Sequence, residues 1–177
     1  LVNRIDRNTG GIVIGAKNAE SLRILNQKMK DRELHKFYLC LLINKPKKDN
    51  AILSDYLIKN EKTNKVTVLR NEKQGAKKIL TKYSVLETNN NLTLCEVELL
   101  TGRTHQIRVH MASIGHPILG DDVYCHARSG YKLQGQTLHA GVLGFIHPST
   151  GEYMEFKAPL PEYFEKLLKD LRNGGSN

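Results

Sequence analysis

Ile79-Leu80-Thr81-Lys82-Tyr83-Ser84-Val85-Leu86 and Leu92-Thr93-Leu94-Cys95-Glu96-Val97-Glu98-Leu99-Leu100 lie on either side of the triplet Asn89-Asn90-Asn91. Both runs carry strand-forming residues, and the asparagines supply turn chemistry. The pair therefore reads as an antiparallel hairpin. Upstream, Ala51 to Ile58 and Lys65 to Leu69 give the same strand signals. Phe37 to Ile43 is an apolar strand, followed by a basic, proline-containing break from Lys45 to Asn50. Thr137 to Ile146 and Tyr153 to Lys157 are predicted strands near the other end.

Helices are few. Asn18 can cap a helix over roughly Ala19 to Leu34, with Leu22, Leu25 and Met29 on one face. Thr104 to Ser113 reads as helical, with Gly115 as its C-terminal stop. Pro161 marks the start of an amphipathic helix that runs to Leu171. Ile12 to Ala16, without helical period, is expected to be a short buried strand. Many strands and few helices in mixed order predict an α+β fold, not a βαβ repeat. We expect a mixed, mainly antiparallel sheet with flanking helices and a central cleft. The expected organisation is one domain over residues 1–172 and a disordered tail over 173–177.

The 177 residues carry 27 Lys and Arg against 18 Asp and Glu, a formal net charge of +9. Such a surplus favours a polyanionic partner, although solvated surface lysines give the same total. No stretch is long and apolar enough to span a bilayer. Three cysteines, Cys40, Cys95 and Cys125, have no metal-type spacing, so reduced thiols in a cytoplasm are expected. His105, His110, His116, Cys125 and His126 crowd together, but His105 and His110 are five apart and share no helical face. No metal is expected, and without Gly-x-Gly-x-x-Gly or Walker patterns no nucleotide cofactor is expected either.

Arg4 and Asp6 stand two apart on an extended backbone, which places them on one side. A carboxylate beside a guanidinium has its ionised form favoured, and a strand end before a glycine turn suits a nucleophile or base. From these residues alone an ordinary salt bridge is the better reading.

The segment Asn3-Arg4-Ile5-Asp6-Arg7-Asn8-Thr9-Gly10-Gly11 resembles the His-Arg-Leu-Asp-Arg-x-Thr-Ser-Gly signature of the RluA-type RNA pseudouridine synthases. It departs at Asn3, Ile5 and Gly10, which leaves the carboxylate in place. Further segments follow in the family's order: His35-Lys36-Phe37-Tyr38-Leu39, Gly102-Arg103-Thr104-His105-Gln106-Ile107-Arg108-Val109-His110 and Gly115-His116-Pro117-Ile118-Leu119-Gly120-Asp121. Tyr124, Leu138-His139-Ala140, His147-Pro148 and Phe156-Lys157-Ala158-Pro159-Leu160-Pro161 complete the set.

The resemblance implies an isomerase that converts specific uridines of structured RNA to pseudouridine, in ribosomal RNA ahead of transfer RNA, without a cofactor. It implies Asp6 as the catalytic residue, Tyr38 as the phenol that holds the base and handles a proton, and Arg108 as the partner of Asp6. Arg4, Arg7, Arg103, His105 and Gln106 are the expected RNA contacts. A cytoplasmic monomer is expected. The alternative is a synthase-like module that binds RNA without chemistry. Related catalytic domains carry further strands ahead of the aspartate motif, often after a small RNA-binding domain, so this chain is expected to be N-terminally incomplete.

Overall fold

The computed structural model describes residues 1–89, 91–127 and 130–173. Its elements, in chain order, are β1 (Gly10–Gly11), α1 (Ala19–Lys30), β2 (His35–Ile43), β3 (Asn50–Lys59), β4 (Val66–Leu69) and β5 (Lys77–Asn89). They continue as β6 (Leu92–Leu99), α2 (Gln106–Ser113), β7 (Leu138–Ile146), β8 (Tyr153–Lys157) and α3 (Glu162–Arg172). Eight strands form one sheet in the order β1-β7-β2-β6-β5-β3-β4, with β8 also paired to β7. Every pairing is antiparallel except β1 with β7. The hairpin read from the sequence is β5 and β6, paired from Asn89 opposite Leu92 to Thr81 opposite Leu99 with a register shift between Val85 and Glu87. Asn90, the middle of its expected turn, lies outside the described residues, as does the expected tail beyond Asn173.

Strand alternation sorts the core onto two faces. From β2, Tyr38, Cys40 and Leu42 join Cys95 and Val97 of β6 against Ile107 and Met111 of α2. The intervening Leu41, with Leu94, packs against Phe164, Leu167, Leu168 and Leu171 of α3. Burial of each such side chain contributes about 1.5–3 kcal/mol. A third cluster seats α1, with Leu25 buried and Leu22 and Met29 half-buried beside Leu143 and Phe145. The Asn18 side chain accepts a hydrogen bond from Ser21 N–H and caps α1 as expected. Gly115, at φ +88°, follows the end of α2, and its neighbour His116 donates back to the Met111 carbonyl. Among the described residues no helix is long and apolar enough to cross a membrane.

Two expectations change. Ile12 to Ala16 is not a strand: only Gly10 and Gly11 pair regularly with β7. Beyond them Ile12 N–H still reaches the Ala140 carbonyl, but Ile14 N–H is taken by the Asn3 side chain, so no ladder propagates. Glycine is required there, because Gly11 sits at φ +117° and a Cβ would lie 2.2 Å from the Ala140 oxygen. The first helix also stops at Lys30, with Asp31 as its C-cap, four residues short of the expected Leu34; Pro161 does stand at the start of α3, as its extended N-cap residue.

Candidate active site

The loop ahead of β1 carries Asp6, and buried amides pin it. Asn3 donates to the Ile12 carbonyl at 3.2 Å and accepts from Ile14 N–H at 2.7 Å. Gln136, from the segment entering β7, donates to the Arg7 carbonyl at 2.7 Å and to Thr9 Oγ1 at 2.9 Å. A short turn, Thr9 N–H to the Asp6 carbonyl with Asn8 at φ +69°, then presents the Asp6 side chain, which is 26% exposed. Asn3, a departure from the family signature, thus secures this loop.

Arg108 approaches from α2. It is 5% exposed, and its guanidinium makes a fork to Asp121, Nε to Oδ2 at 2.7 Å and Nη2 to Oδ1 at 3.0 Å. Its remaining nitrogen, Nη1, donates to Asp6 Oδ2 at 3.4 Å, longer than a direct ion-pair hydrogen bond, which usually measures about 2.7–2.9 Å. Asp121, with a fully buried side chain, also accepts from Val123 and Tyr124 N–H. Burial alone would raise the Asp121 carboxyl, but the Arg108 fork and the two backbone bonds outweigh it and hold the carboxyl below its ordinary range. The sequence reading expected Asp6 as the partner of Arg108. The primary partner is Asp121, and Asp6 takes the free edge of the guanidinium.

Asp6 and Tyr38 line one cavity of about 220 Å³. Tyr38 is 7% exposed; burial, then the Asp6 charge, pushes its phenol up to about 12, so it stays protonated. His105 lines the same cavity, in the left-handed conformation at φ +55°, with Nδ1 2.8 Å from the Tyr124 hydroxyl. Desolvation and then the Arg108 charge lower the His105 pKa, so its ring is neutral near pH 7. Arg4 and Arg103 also line it, as exposed cations.

Three site readings are corrected. Arg4 lines the cavity with Asp6, but no ion pair joins them among the described residues, because Arg108 holds that carboxylate. Arg7 is exposed and does not line the cavity; its carbonyl instead anchors the loop through Gln136. Gln106 does line the cavity, but it is 2% exposed with its amide saturated. It accepts from Thr101 Oγ1 and Arg103 N–H and donates to the Leu80 carbonyl and Thr81 Oγ1. It can hold the turn before α2 but has no hydrogen-bonding capacity left for RNA.

Sequence reasoning also missed Lys36 and Asp121. Lys36 lines the cavity, and burial lowers its pKa. Its amine lies where a Cβ on Gly102 would approach within 2.9 Å. Its place two residues before Tyr38 on a strand was the available signal. The clustered histidines separate: His110 is buried against Asp55 and Thr81, and His116 meets the Ile43 carbonyl. Among the described residues no three His, Cys, Asp or Glu side chains are grouped to hold a metal ion.

Against this geometry, three similarities were found. A family model described as RNA pseudouridylate synthase matches residues 1–113. The chain is 40% identical over 176 residues to an uncharacterized RNA pseudouridine synthase, YlyB, of Bacillus subtilis, covering 99% of this chain and 56% of the relative. It is 39% identical over 177 residues to the ribosomal large subunit pseudouridine synthase C of Vibrio parahaemolyticus, covering 97% of this chain and 55% of that protein. The chain spans about half the length of the curated relatives it matches. In fold it is similar to human RNA pseudouridylate synthase domain-containing protein 4, with a TM-score of 0.80 at 23% identity over 97% of this chain and 75% of that one.

Proposed function

The chain belongs to the RNA pseudouridylate synthase family, and we propose that it isomerises specific uridines of structured RNA to pseudouridine, in ribosomal RNA ahead of transfer RNA. The observation that carries this reading is the half-exposed Asp6 carboxylate, held by the free edge of a buried arginine in a cavity that also contains Tyr38. Ribosomal RNA is favoured by the name of the Vibrio relative.

The reaction breaks the bond from ribose C1′ to uracil N1 and joins C1′ to uracil C5, with no net gain or loss of atoms. It needs a group that assists departure of uracil, space to turn the free base, and removal of the C5 proton. Asp6 fills the first role, by attack on C1′, attack on the ring, or removal of a 2′ proton. Tyr38, kept protonated by its surroundings, packs against the base and serves as a proton relay. Arg108 aims Asp6 and is itself fixed by Asp121. A base inside a helix cannot reach this cavity, so the target uridine leaves its stack. Arg4 and Arg103 at the rim then meet its phosphates or fill the space it vacates. No step requires a metal or a nucleotide. The site belongs to one catalytic unit over residues 1–172, acting as a cytoplasmic monomer.

The test is to map pseudouridine in RNA from cells with and without the parent gene. One or more uridines losing modification in the deletion, restored by the wild-type gene, is the expected result. An identical map in both strains would refute the proposal.

A further inference from the structure

A second cavity, of about 620 Å³, adjoins the catalytic one and shares Met29, Lys36, Leu99, Gly102 and Arg103 with it. Four cations line it: Lys30 and Arg32 from the end of α1, Lys36 from β2, and Arg103 from the turn before α2. Glu98 is the single acid in the lining. Among the described residues none of the four cations forms an ion pair. Four cations around one hollow, none ion-paired and facing a single acid, repel one another, and Lys36 is in addition partly desolvated. An arrangement of that kind is relieved by a polyanion. The volume is that of a small-molecule pocket, about 300–1,000 Å³, enough for a nucleotide.

We propose that this second cavity holds the RNA strand immediately flanking the target uridine, with its phosphodiesters on Lys30, Arg32, Lys36 and Arg103 and its neighbouring nucleotide over Leu34 and Leu99. The inference rests on the pseudouridine synthase reading and gives that site its second half. An acidic peptide would meet the same cations. RNA is favoured because the two cavities share part of their walls: a strand that delivers one nucleotide to Asp6 must carry its backbone out through a neighbouring hollow, and the shared Lys36 and Arg103 mark this one. None of the lysines from Lys45 to Lys48 or from Lys73 to Lys82 lines either cavity.

The test uses Lys30→Gln with Arg32→Asn in the full-length parent. Asparagine suits position 32, where the backbone is left-handed at φ +59°. Binding of a fluorescent oligouridine is titrated across salt concentrations, and KM and kcat are measured on ribosomal RNA from the deletion strain. The double variant should lose about 1.4 from the magnitude of the salt slope, at about 0.7 per single-strand phosphate contact. KM should rise about tenfold, more than kcat falls. Lys166→Gln with Lys169→Gln on α3, outside both cavities, is the control. An unchanged slope, an equal loss in the control, or competition by polyglutamate as effective as by oligouridine would each overturn the proposal. If wild-type enzyme forms no pseudouridine while the slope loss is still confined to the Lys30/Arg32 variant, the groove stands and the catalytic reading falls.

Discussion

Arg108 and His110 leave the same helix two residues apart, about 200° around its axis, and each ends on buried carboxylate chemistry. The His110 side is closed. Its ring is fully buried, with Nε2 2.8 Å from Asp55 Oδ2 and Nδ1 2.7 Å from Thr81 Oγ1. Arg70 covers Asp55 with two 2.9 Å bonds from Nη1. One carboxylate meets one guanidinium, and the neutral imidazole links them to β5. The Arg108 side is open. One guanidinium faces Asp121, Asp6 and, at 3.8 Å, Asp122, so negative charge is in excess. Asp6, held only by the 3.4 Å contact to Nη1, has its side chain 26% exposed at a cavity. Buried polar networks are mostly structural. The one with an unspent carboxylate facing empty space is the one suited to chemistry.

Each side can be broken separately. Asp121→Ala removes the fork and leaves the buried Arg108 only the longer contacts to Asp6 at 3.4 Å and Asp122 at 3.8 Å. It should cost about 3–5 kcal/mol of stability and most of the activity. Denaturant titration with a parallel product assay checks both; full activity in a destabilised protein would show that Arg108 is not aimed through Asp121.

Asp55→Ala should cost less, about 1–3 kcal/mol, by stranding His110 Nε2. The Asp55–Arg70 pair adds little, because Arg70 is 61% exposed and screened. Measured well below its melting temperature, this variant should retain kcat within about twofold, which is under 1 kcal/mol of barrier. A kcat loss comparable to that of Asp121→Ala would erase the distinction between the two sides.

Arg108→Lys keeps the charge but not the fork. A lysine cannot serve both Asp121 oxygens and Asp6 in one plane, so the single-turnover rate should fall at least about tenfold, or about 1.4 kcal/mol. A wild-type rate would mean that charge alone suffices at this position.

The smallest effect is on pH. Burial lowers the His110 pKa despite the opposing pull of Asp55, and Arg70 lowers it further. Its ordinary value is 6.5. Above that value the ring is neutral in both folded and unfolded states, and its contribution to stability is intact. As pH falls below 6.5 the unfolded chain binds the proton first, so stability is lost down to the lowered folded pKa. His105 is shifted in the same direction and adds to the slope. His110→Asn should flatten the stability curve below about pH 6.5, with a change of at most about 1.4 kcal/mol per pH unit. An unaltered slope would assign the dependence to His105 or to carboxylates.

Strand content and the β5–β6 hairpin were legible because alternation and turn residues are local. The Ile12 to Ala16 segment misled because whether an apolar run becomes a strand depends on its partner, and β7 offers only His139 and Ala140 to Gly10 and Gly11. The site divided in the same way. Asp6, Tyr38 and Arg108 came from resemblance, since a carboxylate between two arginines reads equally as a salt bridge. The Asp121 fork was invisible because it depends on how the loop after Gly120 folds back over α2. Gln106 was misjudged for the opposite reason: a polar residue in a motif suggested a ligand contact, and only its four internal hydrogen bonds reveal a brace.

The most direct measurement compares Asp6→Asn with Asp55→Asn in the full-length parent. Both changes exchange one carboxylate for an amide of equal size, and the readouts are pseudouridine formed on RNA from the deletion strain and the melting temperature. Asp6→Asn should abolish product, by at least about a thousandfold, with a melting temperature within a few degrees of wild type. Asp55→Asn should lower the melting temperature more and leave product formation intact. Product from Asp6→Asn at a rate near wild type would contradict the assignment of Asp6 as the reacting group.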